Sequence, residues 1–244
     1  MADSVNPYKD SDLNKKAQVE QMFDTISKRY DGLNRVITFG VDQKWRRNVV
    51  KMVEDHNPKT VLDIATGTGD LAIAFAQRLP NAKVTGLDIS EGMLNVARNK
   101  TAEASFADRL EFVKADSEDM PYADNHFDAI TVSFGIRNFE NLEKGLAEIL
   151  RVLKPGGLFV VLETSVPEKF PYKQGHKLYS KGVLPLIGKL FSKDKVAYGY
   201  LSESAAAFPY GQRLNNIFTK IGFIATENKP QTFGVATIYT ATKA

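Results

Sequence analysis

The chain has 244 residues, a formal net charge of +3 and 43% apolar residues, enough for one α/β domain with a full core. It contains no cysteine, which excludes disulfide scaffolds, zinc–thiolate sites, iron–sulfur clusters and cysteine nucleophiles. So small a net charge argues against a nucleic-acid partner, and no run approaches the roughly 18 apolar residues that a membrane span needs.

The N-terminus MADSVNPYKDSDLNKK is polar and lacks an apolar signal core, so a cytoplasmic location is expected. Residues 12–30 read as a polar helix with Val19, Met22, Phe23 and Ile26 at helical spacing. A mixed segment, 30–47, precedes a helix that runs to about His56 and stops near Pro58. From Thr60 the pattern changes. Short apolar strands are predicted at 60–65, 82–89, 109–116, 127–134 and 158–164. Helices at 69–79, 90–100 and 141–153 alternate with them, with Ser90 as the N-cap of the second. Lys154-Pro155-Gly156-Gly157 reads as a breaker. This alternation predicts a parallel, doubly wound sheet. Residues 166–208 carry no strand pattern. A helix at 209–221 and strands at 222–229 and 235–243, paired as a hairpin around 230–234, close the chain.

The segment Asp63-Ile64-Ala65-Thr66-Gly67-Thr68-Gly69-Asp70 follows the first strand and opens a helix, and its glycines allow a tight turn and close approach to a ligand. Asp88 lies 21 residues after Gly67, a spacing that suits ribose recognition in a dinucleotide or in another nucleoside cofactor. The two classes differ in charge. Asp63 inside the strand and Asp70 at the helix N-terminus would repel a pyrophosphate, which needs positive potential there. They favour a cationic ligand such as S-adenosylmethionine, with its sulfonium and ammonium. An N-terminal helix charge is the ordinary alternative for Asp70, whereas a carboxylate in an apolar strand needs a partner.

These residues resemble class I S-adenosylmethionine-dependent methyltransferases over roughly residues 58–165. The resemblance implies a Rossmann-like α/β fold with a mostly parallel seven-stranded sheet. It assigns Asp88 to the ribose hydroxyls, Thr66 to Gly69 to the methionine portion, Asp116 and Ser117 to the adenine, and Ser133 to the cofactor face.

Four separated segments narrow the match: Arg151-Val152-Leu153-Lys154-Pro155-Gly156-Gly157 through Leu162-Glu163-Thr164-Ser165; Tyr30-Asp31-x-x-Asn34 to Trp45; Ser133-Phe134-Gly135-Ile136-Arg137-Asn138; and Leu201-x-Glu203-Ser204 with Phe208-Pro209. Together they resemble the menaquinone/ubiquinone biosynthesis C-methyltransferase family. The family commonly has Ser where this chain has Thr38 and His where it has Asp42, so no histidine role transfers to position 42. Gly40-Val41-Asp42 looks more like the menaquinone-only branch. The resemblance implies methyl transfer to a ring carbon of a prenylated demethylmenaquinol. A ubiquinone precursor or another small-molecule acceptor is the alternative. A nicotinamide oxidoreductase and a non-catalytic partner in quinone synthesis are further rivals.

The family match places Arg137 and Asn138 at the acceptor, and Tyr30 and Asp31 are expected to close over the cofactor or the acceptor, with a packing role as the alternative. Arg137 would stabilise a phenolate but not act as base, since guanidinium stays protonated; its ordinary alternative is an ion pair bracing the loop. The sulfonium is already activated, so no metal is required. His56 and His126 read as surface residues, and His176 lies in the insert. One methyltransferase domain is expected, with an N-terminal helical cap (1–57), a cofactor core (58–165), a helical insert (166–208) and a closing helix and strands (209–244). Residues 166–200 hold seven Lys against two acids, interleaved with Phe170, Tyr172, Leu184, Leu186, Ile187, Leu190 and Phe191. This basic, apolar insert suits peripheral contact with an anionic membrane surface, with a solvated lysine face as the plain alternative. A homodimer is the assembly considered.

Overall fold

The computed structural model describes residues 5–8, 10–183 and 195–244. Three helices precede the sheet: α1 (Lys15–Ile26), α2 (Tyr30–Ile37) and α3 (Asp42–His56). The Asn14 side chain caps α1 by accepting from the Ala17 N–H, and a 3-10 turn at Ser27–Arg29 leads into α2. Most of the mixed segment 30–47 is therefore helical. Its pattern was hard to read because α2 spans only eight residues and contains Gly32 and Asn34, both weak helix formers. α3 ends at Asn57, whose left-handed backbone (φ 53°) stops the helix one residue before Pro58.

The core alternates as expected: β1 (Thr60–Ile64), α4 (Asp70–Arg78), β2 (Lys83–Asp88), α5 (Glu91–Thr101), β3 (Leu110–Lys114), β4 (Phe127–Ser133), α6 (Leu142–Val152) and β5 (Leu153–Thr164). Ser90 caps α5, its hydroxyl accepting from the Met93 N–H at 3.1 Å. One boundary moves. Lys154–Gly157 does not break the chain out of the sheet but forms an irregularity inside β5. Phe127 pairs with Leu153 and Ala129 with Leu158, and Gly156 at φ 71° takes up the extra residues.

The last part comprises α7 (Tyr172–Leu178), a π turn at Tyr179–Val183, α8 (Lys195–Ala207), α9 (Gln212–Ile221), β6 (Ile224–Gln231) and β7 (Ala236–Thr242). The insert positions Leu184, Leu186, Ile187, Leu190 and Phe191 lie outside the described residues. β6 runs through Pro230, which the hairpin reading placed in the turn. The proline is tolerated because β6 is an edge strand.

The seven strands lie in the order β3-β2-β1-β4-β5-β7-β6. β1 to β5 are parallel, and β7 is antiparallel to both its neighbours. Alternation divides the buried side chains between two faces. Leu62, Ile130, Val132 and Phe159 pack with α6 and α9 through Leu146, Ile149, Leu214 and Phe218. Val61, Val84, Ala129 and Val160 pack with α3 and α4 through Val49, Val53, Leu71 and Phe75. A third cluster joins α1 to α5 and α8 through Val19, Met22, Met93 and Tyr200. The strand order reverses at β1 and β4, so a crevice opens beyond their carboxyl ends, where ligands bind in open α/β sheets.

Candidate active site

The crevice is shaped by two loops pressed together. Ala65 after β1 and Phe134 after β4 both take positive φ, 52° and 57°. A Cβ on Gly135 would lie 2.4 Å from the Ala65 Cβ, so only glycine fits there. Such strain in non-glycine residues is held by surrounding structure and concentrates at ligand sites.

Strand register places the first acid. Asp63 pairs with Thr131 across β1 and β4, so the two side chains leave the sheet on one face. Its Oδ1 accepts from the Thr131 hydroxyl at 2.6 Å and its Oδ2 from the Thr66 hydroxyl at 2.7 Å. Burial lifts the carboxyl to about 6, against the two hydroxyls that favour its ionised form. Asp88 ends β2. Its Oδ2 accepts from the Gly67 N–H at 2.8 Å and its Oδ1 from the Ser90 N–H at 2.9 Å. Burial lifts this carboxyl to about 6 as well.

A cavity of about 660 Å³, its mouth included, is walled by Asp88, Asp116, Ser117, Ser133, Asn138 and Tyr30, with Phe23, Ile89 and Met93 supplying apolar surface. Asp116 follows β3. Its Oδ1 accepts from the Glu118 N–H at 2.9 Å, and its Oδ2 receives Lys16 from α1 at 2.8 Å. Asn138 lies in a 3-10 turn after β4, and its side-chain oxygen accepts from the Tyr200 hydroxyl of α8 at 3.1 Å.

A smaller lobe of about 330 Å³ continues from this cavity past Tyr30, Ala65, Gly67 and Ser133, and reaches Asp31, Arg46, Asp63, Thr66, Thr68 and Asp70. Lys100 of α5 closes its rim, 2.6 Å from Asp31 Oδ2, 2.7 Å from Asp70 Oδ1 and 3.0 Å from the Thr68 carbonyl. Asp70 is therefore held by a lysine rather than left for a cationic ligand, and Asp63 alone meets only neutral donors.

Most of the expected site residues thus converge: Asp63, Thr66, Gly67, Asp88, Asp116, Ser117, Ser133, Tyr30 and Asn138 all line one lobe or the other. Two of the expected residues stand apart from the described walls. Gly69, at φ 80°, sits behind the loop, where a Cβ would come within 2.9 Å of both Ala97 and Phe112; it serves packing between α4, α5 and β3. Arg137 is absent from the described wall. Its Nη1 donates to Glu163 Oε1 and to the Phe134 carbonyl, both at 2.7 Å, so the guanidinium braces the loop from behind Asn138. The pair is nearly buried, and Arg137 Nε and Glu163 Oε2 have no hydrogen-bond partner. His56 and His126 are exposed, and His176 on α7 is half-buried.

Asp31 joins Tyr30 at the smaller lobe as expected, whereas Lys16, Arg46, Lys100 and Glu163 were not anticipated as parts of the site. Lysines and arginines in polar helices read as solvated faces, and only the fold brings them over the strand ends. Glu163 carried a signal of its own, a carboxylate closing an apolar strand.

The lobes suit a nucleoside joined to an amino-acid end. Ser133 Oγ supplies an independent test: it is buried, lines both lobes and lacks a hydrogen-bond partner, so it offers a free polar group to a ligand that spans them. Asp63 near the end of β1 and Asp70 at the start of α4 place negative charge where a pyrophosphate would sit, which favours a cationic cofactor over a dinucleotide. The site and the sheet order together define a Rossmann-like methyltransferase fold.

Comparison with known proteins agrees. A S-adenosylmethionine-dependent methyltransferase structure from Thermotoga maritima superposes with a TM-score of 0.64 at 20% identity, covering 92% of this chain and 99% of that one. The model of the ubiE/COQ5 methyltransferase family matches residues 11–243, and the chain belongs to that family. A demethylmenaquinone methyltransferase from Bacteroides fragilis is 46% identical over 241 residues, covering 99% of this chain and 98% of the relative. A ubiquinone/menaquinone biosynthesis C-methyltransferase from Geobacter sulfurreducens is 44% identical, covering 94% of this chain and 90% of the relative. The protein is thus a S-adenosylmethionine-dependent methyltransferase, and the oxidoreductase alternative falls away.

Proposed function

We propose that the enzyme methylates a ring carbon of a prenylated demethylmenaquinol, giving menaquinol and S-adenosylhomocysteine. The supporting observation is one cavity whose wall joins Asp88, Asp116 and Ser117 to the β4 loop residues Phe134, Asn138 and Phe139. The near full-length similarity to the Bacteroides protein supports the same acceptor.

Bound S-adenosylmethionine supplies an electrophilic methyl group. Asp88 accepts the ribose hydroxyls, and Asp116 with Ser117 holds the adenine. Thr66 and Gly67 border the methionine portion, beside Asp63, and Ser133 Oγ gains its missing partner. Asn138 is oriented by Tyr200, which occupies its amide oxygen and leaves the NH₂ to donate to an acceptor hydroxyl or phenolate. Arg137 holds that turn against Glu163 and adds positive potential from behind. Tyr30, whose ring stands 3.9 Å from where a Gly67 Cβ would be, closes the crevice against water.

We also read the chain as a cytoplasmic enzyme that meets the membrane peripherally. Phe39 and Phe233 are 75% and 66% exposed at loop tips, each held at positive φ (51° and 60°). Phe39 lies 6.2 Å from the Tyr179 ring and Phe233 stacks 4.0 Å from Tyr172, so the two tips adjoin the π turn and the start of α7. Phe170 and Leu178 are exposed there too, among Lys169, Lys173 and Lys177. An apolar face ringed by lysines is suited to an anionic bilayer, where a prenylated quinol resides.

The test is incubation of the purified protein with methyl-labelled cofactor and each demethylated quinol. Label on the ring carbon of demethylmenaquinol is expected. Label on oxygen, or turnover of the ubiquinone precursor alone, overturns the acceptor assignment.

A further inference from the structure

Arg46, on the first turns of α3, contributes its side chain to the wall of the smaller lobe. That side chain is 18% exposed, yet its Nε is buried without a hydrogen-bond partner. Its anionic neighbour is Asp42, one helical turn earlier, at a long 3.5 Å from Nε. Asp42 is itself engaged, since its Oδ1 accepts from the Thr38 hydroxyl at 2.6 Å. The guanidinium carbon stands 5.6 Å from the centre of the Phe134 ring, which holds the planar group at the lobe. Among the described lining residues of this lobe it is the one cation; the acids are Asp31, Asp63 and Asp70.

The charges of the lobe do not cancel internally. Lys100 bridges Asp31 and Asp70 at the rim, one positive charge shared between two carboxylates. Asp63 hydrogen-bonds two hydroxyls and has Arg46 as its nearby cation, and Arg46 Nε lacks an acceptor at hydrogen-bond distance. A carboxylate and an under-coordinated guanidinium that share the lobe without a direct ion pair leave room for a zwitterion between them. An α-amino acid end carries an ammonium and a carboxylate on one carbon, and arginine's fork matches a carboxylate in two parallel hydrogen bonds. Without Arg46, an incoming carboxylate would meet three carboxylates against the single charge of Lys100, which electrostatics opposes.

We propose that Arg46 receives the α-carboxylate of the cofactor's amino-acid end, while Asp63 provides the negative potential for its ammonium. The assignment rests on the S-adenosylmethionine reading of the site. It makes α3 a cofactor-binding element, so the N-terminal helices complete the site rather than only covering it.

The experiment is titration calorimetry on the full chain with S-adenosylmethionine and with decarboxylated S-adenosylmethionine, which differ only in the carboxylate. The wild-type protein is expected to prefer the carboxylated form by about 10- to 100-fold, the range for a charge-assisted pair. Arg46→Met is expected to remove that preference while the affinity for the decarboxylated form stays within about threefold, and Arg46→Lys to restore part of it. Equal affinities in the wild-type protein overturn the assignment without recourse to any variant. So does an Arg46→Met protein that loses both ligands equally, which marks a merely structural arginine. A wild-type protein that binds neither ligand overturns the cofactor reading itself, and this assignment with it.

Discussion

Asp63 and Asp88 are buried carboxylates without a lysine or arginine in hydrogen-bond contact, and burial raises both to about 6 from 3.8. A raised carboxyl favours folding only while protonated. Its contribution is complete below the unfolded value near 3.8 and is lost as pH rises through about 6. At neutral pH each charged form therefore costs the unliganded fold, a cost that a cationic ligand offsets. Asp88→Asn leaves either the Gly67 or the Ser90 N–H without its acceptor, a cost present at every pH, but the stability of the variant relative to wild type is expected to rise by about 1–3 kcal/mol between about pH 4 and pH 8 as the wild-type carboxyl ionises. The same change should weaken S-adenosylmethionine binding by at least about tenfold. Thermal melts across pH and calorimetry check both parts; an unchanged affinity would remove Asp88 from the cofactor. These acids were legible because each ends or follows a parallel strand, and strand ends converge by construction. Arg46 was not, because an arginine in a polar helix gives no sign of which surface the helix covers.

Elements position the site by contact as well as by strand order. The loops after β1 and β4 meet where Gly135 faces Ala65, closer than any side chain allows. Gly135→Ala should cost about 1–3 kcal/mol by overpacking and should weaken cofactor binding, because Ser133 and Asn138 lie on the same loop. Adding Ala65→Gly removes the obstructing methyl and relieves the positive φ at that position, so the double variant should recover most of the loss. Chemical denaturation of the four proteins in the cycle measures the coupling. If the second change does not rescue the first, the two loops do not set each other. The strand-four segment was recognisable as a motif, but its partner across the crevice was not. The close approach joins residues 70 positions apart, and no local pattern encodes it.

At the scale of the whole molecule, the exposed aromatic tips and α7 form one face. Changing Phe39, Phe170 and Phe233 together to Ser is expected to reduce co-sedimentation with anionic vesicles by about tenfold, since each buried aromatic contributes roughly 1.5–3 kcal/mol when fully inserted and less at an interface. Binding of the unaltered protein should fall with added salt as the lysines are screened. Turnover of a water-soluble short-chain quinol should remain, because none of the three residues lines the cavity. Vesicle binding that survives the triple change places the contact elsewhere. The sequence pointed to a basic, apolar insert between 166 and 200. The α2–α3 and β6–β7 tips join that face only through tertiary contacts of Phe39 with Tyr179 and of Phe233 with Tyr172.

The linear chain specified the α/β alternation, the places where strands end and the acids at those ends. Hydrophobic period and turn chemistry act over a few residues and survive in any reading of the string. Pairings between distant segments were settled by packing alone: Lys16 on Asp116, Lys100 between Asp31 and Asp70, Arg137 on Glu163 and Arg46 at the second lobe. A charged side chain takes the same form in sequence whether water or a buried partner awaits it. Only the folded topology decides which, because the energy of a charge depends on what surrounds it.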